Sequence, residues 1–444
     1  VRTDRAAGRR GGAAVLGVPA PEGGRTRRRL VGADAARGLA LLGMVAVHTL
    51  PVWDAGAERA SLSWSLFAGH SAALFAVLAG VSLAFLSGGA APHTGARLTG
   101  DRAGLVGRAA VLALVGLLLG FAAPPVNNIL VYYGVFFLLA IPFLGLRIRH
   151  LLIAAAAFAV VSPFLMQWSL EVLPSHVYGN PTPWDLATDP VTVLAQLLLT
   201  GTYPALPYMS FLCAGLALGR MNLANRRVQT WLVGAGAALA VLAYGLSSLL
   251  LLGLGGYGRI WAATPWLSEA QIDEIIVFGP DPSLPTTTLW WLIVPGPHTN
   301  TPFALLVSLG VAVAVLGGFL LLARAAGTVL TPLAAAGSMT LTLYTAHLLF
   351  LATGLQDLAP GLAFWGQVVV LGLFALAWQH ARGQGPLEKV VARVSKQVAH
   401  RVTARPDTAG GPRAGGPRAG AARAASARPG SAAPRRDEPR FRND

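Results

Sequence analysis

Long, nearly uncharged apolar stretches dominate this chain. A helix needs about 20 apolar residues to cross a hydrocarbon core of about 30 Å. Ten stretches meet or approach that length: residues 31–52, 62–86, 105–123, 128–146, 151–168, 196–219, 230–253, 302–323, 332–354 and 362–381. Inside a bilayer each backbone N–H and C=O must find its partner within the segment, so such stretches fold as helices. The expectation is an all-α, polytopic integral membrane helix bundle of about ten transmembrane helices. The run 191–219 is long for one span, and Gly201, Pro204 and Pro207 mark a kink or an interfacial entry there. Nine or eleven spans are the alternatives.

Charged residues make up 12% of the chain, against roughly 25% in soluble domains. The formal net charge of +15 is concentrated at the two ends. Residues 1–29 hold eight arginines against Asp4 and Glu22, and the segment from Arg382 onward holds fourteen Lys/Arg against five acids. The middle, 30–381, is neutral, with twelve of each sign. No fold or aromatic interleaving suited to nucleic acid accompanies the basic ends, so basic tails near anionic lipid are the reading and no nucleic-acid partner is expected. The Ala/Gly/Pro/Arg run that closes the chain has almost nothing apolar to bury and reads as disordered. A single cysteine, Cys213, excludes an intrachain disulfide and a cysteine zinc cage.

Charge also orients the bundle. With the N-terminus inside, the inner loops carry nine arginines: Arg97, Arg102, Arg108, Arg147, Arg149, Arg220, Arg226, Arg227 and Arg324. The outer loops carry only Arg59 and Arg259 among many acids. Positive charge stays on the cytoplasmic side during insertion, so both termini are expected in the cytoplasm. Arg25 to Arg29 before the first span mark it as an uncleaved signal anchor. The long outer loops 169–195 and 254–301, rich in Trp, Pro and acids, suggest an extracytoplasmic cap.

The first span contains Asp34, Arg37 and His48, residues that hydrocarbon does not tolerate unless they face the bundle interior or a wet cavity. Arg37 and His48 are eleven residues apart, which on a helix returns to within about 20° of the same face after a rise of about 16 Å. Asp34 lies one turn from Arg37 and can pair with it. The stripe thus offers a cation in the inner half and an imidazole in the outer half. A purely structural ion pair with a packed histidine is the plainer alternative. Of the nine histidines, His48, His70 and His347 fall in outer halves of spans, and His298 lies just outside one. Either these four converge on a cavity or some are ordinary satisfied polar groups. In 337–351, Gly337, Thr340, Tyr344 and His347 share a helical face, and Tyr344 with His347 is the better functional candidate. GLGGYG at 253–258 matches a dinucleotide fingerprint in letters alone, because no strand–helix unit surrounds it. No metal-ligand spacing of the HExxH kind is present, and no metal is expected.

The string Asp34, Arg37, Gly38, Ala40, Met44, His48 resembles the opening of the transmembrane acyltransferase superfamily. Together with LFAVLAGVSLAF (74–85) it resembles the heparan-alpha-glucosaminide N-acetyltransferase catalytic-domain family. The second half resembles the YeiB-like family (domain of unknown function 418) at 200–220, 297–310, 337–349 and Trp378 with Gly385-Pro386-Leu387-Glu388. The expected organisation is a basic cytoplasmic tail (1–29), an acyltransferase-like half (30–220), a YeiB-like half (221–395) and a disordered basic tail (396–444).

The resemblance implies a cytoplasmic acyl-CoA donor, acetyl-CoA above all, and an extracytoplasmic acceptor that is an envelope glycan, a lipid or a small molecule. Arginine-for-lysine usage (32 against 2) and the Ala/Gly bias point to a high-GC bacterial source, so the expected location is a bacterial inner (plasma) membrane. Acyltransferase-3 enzymes of the superfamily carry an arginine, ten residues and a histidine, the spacing of Arg37 and His48. The acetyltransferase family usually has an asparagine at the His48 position and a catalytic histidine in the following outer loop. Here that loop, 53–63, reads WDAGAERASLS without histidine, so His48 itself would act as general base. Arg37 would contact the donor, and Asp34, His70, His298, Tyr344 and His347 would contact substrate. The alternative from another class is a transporter in which the Asp34–Arg37–His48 stripe is a proton or substrate pathway.

Overall fold

The computed structural model describes residues 30–173 and 178–404. In chain order the main helices are α1 (Val31–Thr49), α2 (His70–Leu86), α3 (Gly95–Gly120), α4 (Leu130–Ala140), α5 (Ile148–Val172), α6 (Ala205–Gly219), α7 (Arg226–Ser248), α8 (Pro302–Ala326), α9 (Thr331–Gly337), α10 (Thr340–Leu351), α11 (Pro360–Arg382) and α12 (Pro386–Thr403). Among the described residues the only sheet is a two-stranded hairpin, Trp53–Asp54 with Arg59–Ala60, in the loop after α1. The protein is an all-α, multi-pass membrane protein.

Seven helices are long and apolar enough to cross a membrane, or eight if the bent pair α9–α10 forms one span. The other expected stretches appear as the shorter apolar helices Leu130–Phe143, Pro190–Thr200 and Ala205–Gly219. The segment 128–146 yields only an 11-residue helix closed by a short 3-10 turn, because Pro142 lacks the N–H that would continue it. The segment 196–219 is split at Gly201–Pro204, so α6 has 15 residues. The segment 332–354 is bent by 80° between α9 and α10.

Small residues set how the helices meet. Gly38 of α1 abuts the Leu333 carbonyl, and Gly337 of α9 abuts the Asp34 carbonyl so closely that a Cβ on either would overlap backbone. Gly80 of α2 and Gly215 of α6 press together in the same way. Apolar burial gains nothing between helices already in lipid, so close backbone packing of this kind carries the association. Arg220, 4% exposed, adds a polar bracket at the end of α6. It donates to the carbonyls of Ala84, Ser87 and Gly89 (3.3, 3.2 and 2.7 Å), to Ser87 Oγ at 3.0 Å and to the Leu144 carbonyl. A guanidinium thus adds hydrogen bonds to the carbonyls at the end of α2, where the helix dipole favours a cation. On the outside, α7 and α11 expose Val241, Leu242, Trp365, Val370 and Leu373, a surface suited to lipid.

The helix α12 corrects the expected tail boundary. Residues 396–403 are helical rather than disordered, because α12 is amphipathic and lays its apolar side on α3. Val394 and Val398 cover Gly107, Thr403 covers Gly100, and Ser395 Oγ donates to the Gly104 carbonyl at 2.8 Å. The basic segment 1–29, His176 and the run 405–444 lie outside the described residues. Residues 30–404 belong to one compact unit, in which helices from both expected halves interleave: α1 packs on α9, and α2 on α6 and α8.

Gly337→Ala is expected to destabilise the bundle by about 1–3 kcal/mol, the usual cost of overpacking. Gly245→Ala, with nothing within 4 Å of its Cβ, should leave stability unchanged. Unfolding of the detergent-solubilised protein compares the two.

Candidate active site

The stripe on α1 forms as its spacing suggests. Arg37 Nη1 lies 2.7 Å from Asp34 Oδ1, and Arg37 Nη2 donates to Ser82 Oγ at 2.5 Å and to the Leu78 carbonyl at 3.3 Å. Ser82 in turn donates to Leu78 O at 2.7 Å. A charge at this depth is tolerable only when paired and hydrogen-bonded, and these contacts supply that from α1 and α2 together.

Arg37 lines a cavity of about 460 Å³ between α1, α2, α3, α4, α10 and the start of α12. A second guanidinium, Arg108 of α3, lines it too. The sequence reading placed Arg108 among the loop charges, but α3 begins at Gly95 and Arg108 sits in its body. Apolar side chains including Met44, Phe75, Leu112 and Phe137 cover much of the remaining wall. The buried hydroxyl of Tyr133, in the wall, finds no hydrogen-bond partner among the described residues, and that of Tyr344 has only the backbone of Ile129 near it. An orphaned buried hydroxyl costs about 1–3 kcal/mol, so this wall is suited to a ligand with polar groups.

One edge of the cavity is closed by the Gly385-Pro386-Leu387-Glu388 string. Glu388 accepts from Thr342 N at 3.2 Å and from Thr342 Oγ1 at 2.6 Å. The N-terminus of α10 lacks a side-chain cap from its own N-cap residue, Met339, and Glu388 fills that place with a charge matched to the helix dipole. The Trp378 indole donates to the Gln384 carbonyl at 3.0 Å, fixing the turn at Gly383, whose φ is +76°.

Above the cavity the histidines meet. Met44, one turn before His48, and Tyr344, three residues before His347, line the cavity, so the histidine pair lies about one turn beyond its wall. His48 Nδ1 is 3.1 Å from His347 Nε2. The ring centroids are 5.4 Å apart with planes within 6°. That separation is about the nitrogen distance plus one ring radius on each side, so the imidazoles lie edge to edge. His347 Nδ1 is 2.7 Å from Gln367 Oε1, and Gln367 Nε2 donates to the Ala363 carbonyl at 3.2 Å and to Thr49 Oγ1 at 3.4 Å. His347 is fully buried with both ring nitrogens engaged, which leaves it none for a substrate.

His70 Nδ1 is 3.0 Å from Ser308 Oγ, a contact between α2 and α8. His298, on the turn before α8, has φ +58° and stands edge-on to Tyr203 at 5.3 Å. Its Nδ1 is buried without a partner among the described residues. Charges on His298 and His70 feel one another, and so do those on His48 and His298. The four outer-half histidines therefore gather in one region. Among the described residues no three His, Cys, Asp or Glu side chains come together as a metal site.

Several parts of the site escaped sequence reasoning. Gln367 was the available signal in 362–381, a polar residue inside a span, and Glu388 lay in a quoted string without a role. Ser82 and Tyr133 carry no signal beyond a hydroxyl in an apolar helix.

The fold is that of a multi-pass membrane protein with ionisable groups in its interior: two arginines line a cavity, and a histidine pair lies about one turn beyond the Met44 and Tyr344 of its wall. The profile of the heparan-alpha-glucosaminide N-acetyltransferase catalytic family matches residues 29–252, half of the chain, and the chain belongs to that family. Its function is accordingly of the membrane acetyltransferase type. No curated relative is found for the chain.

Burial, with the His70 charge adding to it, pushes the His298 imidazole down to about 4. An unfolded histidine titrates near 6.5. Between these values the unfolded chain binds a proton that folded His298 refuses, so this group's contribution lowers stability as pH falls from about 6.5 toward 4. His298→Gln should remove that part of the pH dependence, read as a smaller loss of thermal stability between pH 7 and pH 5.

Proposed function

We propose that this protein moves an acetyl group from cytoplasmic acetyl-CoA to a hydroxyl or amine on an extracytoplasmic glycan, lipid or small molecule, in a bacterial plasma membrane. The observation that supports this reading most is a two-arginine cavity toward the arginine-rich side with a histidine pair about one turn beyond its Met44 and Tyr344. Arg37 and Arg108 suit the donor's phosphates, and the apolar wall suits its pantetheine arm. Tyr133 and Tyr344 offer hydroxyls to the amides or the thioester carbonyl. The acyl end would then lie toward Met44 and Tyr344, beneath His48.

His48 is the general base. The acceptor oxygen or nitrogen attacks the thioester carbonyl while His48 Nε2 takes its proton. The C–S bond breaks, and the CoA thiolate leaves and regains a proton from the imidazolium. Asp34 and Ser82 hold Arg37 in place. The YeiB-like likeness of the second half enters here through two of its strings, since 337–349 supplies Tyr344 and His347, and 385–388 supplies Glu388. His70 and His298 are assigned to the acceptor, His298 being the one whose charge acts on His48.

Purified protein in lipid nanodiscs, given radiolabelled acetyl-CoA and envelope extract, should transfer label. His48→Ala should lower the rate by roughly 10²–10⁴-fold, the range for loss of a general base. No transfer and no CoA release by the wild type, or an unimpaired His48→Ala variant, would refute the assignment. Arg108→Ala should raise KM for acetyl-CoA about 10-fold, the equivalent of ~1.4 kcal/mol, with kcat kept. Acetyl-pantetheine, which lacks the phosphates, should not distinguish the variant from the wild type.

A further inference from the structure

The hydrogen bonds around His347 dictate where every imidazole proton sits. The Ala363 carbonyl can only accept, so the Gln367 amide nitrogen must face it. Gln367 Oε1 therefore faces His347 Nδ1 at 2.7 Å, and an amide oxygen only accepts. His347 Nδ1 must then carry the proton. A neutral ring has one N–H, so His347 Nε2 is an acceptor, and His48 Nδ1, 3.1 Å away, must be the donor. The lone pair of His48 is thereby placed on Nε2. That nitrogen makes no hydrogen bond among the described residues and is not among the buried polar atoms without a partner, and His48 as a whole is only partly buried.

We propose that Gln367 and His347 are positioning residues that lock His48 in its Nδ1–H tautomer and share the proton it takes up. Its catalytic meaning rests on the acetyltransferase reading above, in which His48 Nε2 is the base. When Nε2 accepts a proton from the acceptor, the Nδ1 proton of His48 can pass to His347 Nε2 along the edge-to-edge contact. His347 then becomes the cation, still donating to Gln367 through Nδ1. The count balances: one proton enters at Nε2, one moves between the rings, and the positive charge resides on either imidazole. The other titratable groups close to the pair are His298, which acts on the His48 charge, and Tyr344, whose ring lies 6.2 Å from that of His347. Thr49 beside His48 and the Ala363 carbonyl fix the amide from two elements, α1 and α11. The string thus spans α1, α10 and α11, which come together only in the folded bundle.

The tautomer can be read without any substrate. Solid-state NMR of protein labelled with ¹³C,¹⁵N-histidine, in lipid at pH 8, should show His48 and His347 as Nδ1–H imidazoles. His48→Ala identifies its signal by difference. Gln367→Leu should release the lock, shifting His48 toward the Nε2–H form preferred by a free histidine side chain, and lower kcat at least 10-fold with KM for acetyl-CoA unchanged. Gln367→Glu, which still accepts from His347 Nδ1, should keep the tautomer. An Nε2–H His48 in the wild type overturns the proposal, as does an unaltered tautomer in Gln367→Leu. Should that variant fail to fold, the wild-type spectrum alone decides. A wild type that transfers no acetyl group but shows the Nδ1–H pair refutes the enzymatic reading and leaves the lock standing. Normal transfer with an Nε2–H His48 does the reverse.

Discussion

The contact of Gly337 with the Asp34 carbonyl fixes the geometry on which the site depends. A helix can approach another's backbone carbonyl this closely only where it carries a glycine, and Gly38 mirrors the arrangement against Leu333. Through this contact α9 is pinned to α1, and the 80° bend that follows sends α10 upward beside α1. Tyr344 then reaches the cavity and His347 reaches His48. The bend leaves the N-terminus of α10 exposed, and Glu388 covers it from α12. Close packing, helix breakage and capping are thus linked parts of one device.

The two ends of the α1 stripe have different electrostatic settings. Arg37 is held by Asp34, Ser82 and a backbone carbonyl beside a cavity with a second guanidinium. His48 bonds to an imidazole that is itself held by an amide, with a hydroxyl behind that, a string without a fixed charge. A cationic chamber suits an anionic ligand, whereas a neutral hydrogen-bonded string suits proton movement without a fixed counter-charge. The distance along α1 that separates these settings lets one helix serve both a donor-binding end and a proton-accepting end.

Polar residues at membrane depth are the most informative letters in such a sequence. Asp34, Arg37, His48 and His347 stand out because hydrocarbon penalises them, and all four are found in built contacts. The same rule marks Gln367, although an amide costs less than a charge and so signals more weakly. Arg108 and Arg220 were legible as charges but read as loop residues, because apolar stretches do not show how far a helix extends beyond the hydrocarbon. The span boundaries differ for a similar reason. Apolar content reports burial in lipid or protein alike, and it does not show where a proline or glycine shortens a helix to 11 or 15 residues.

By itself the sequence determined the solvent, the helical class and the α1 stripe, since each follows from local rules: hydrocarbon forces internal backbone pairing, and a helix returns residue 48 to the face of residue 37. It also determined that the charge excess belongs to the ends. Only the tertiary structure decided which histidine would be the partner of His48. That pairing depends on Gly337 meeting Asp34, on the bend of α9 into α10, and on α11 bringing Gln367 alongside. These contacts join residues some 300 positions apart, and no periodicity in one helix encodes the rotation of another.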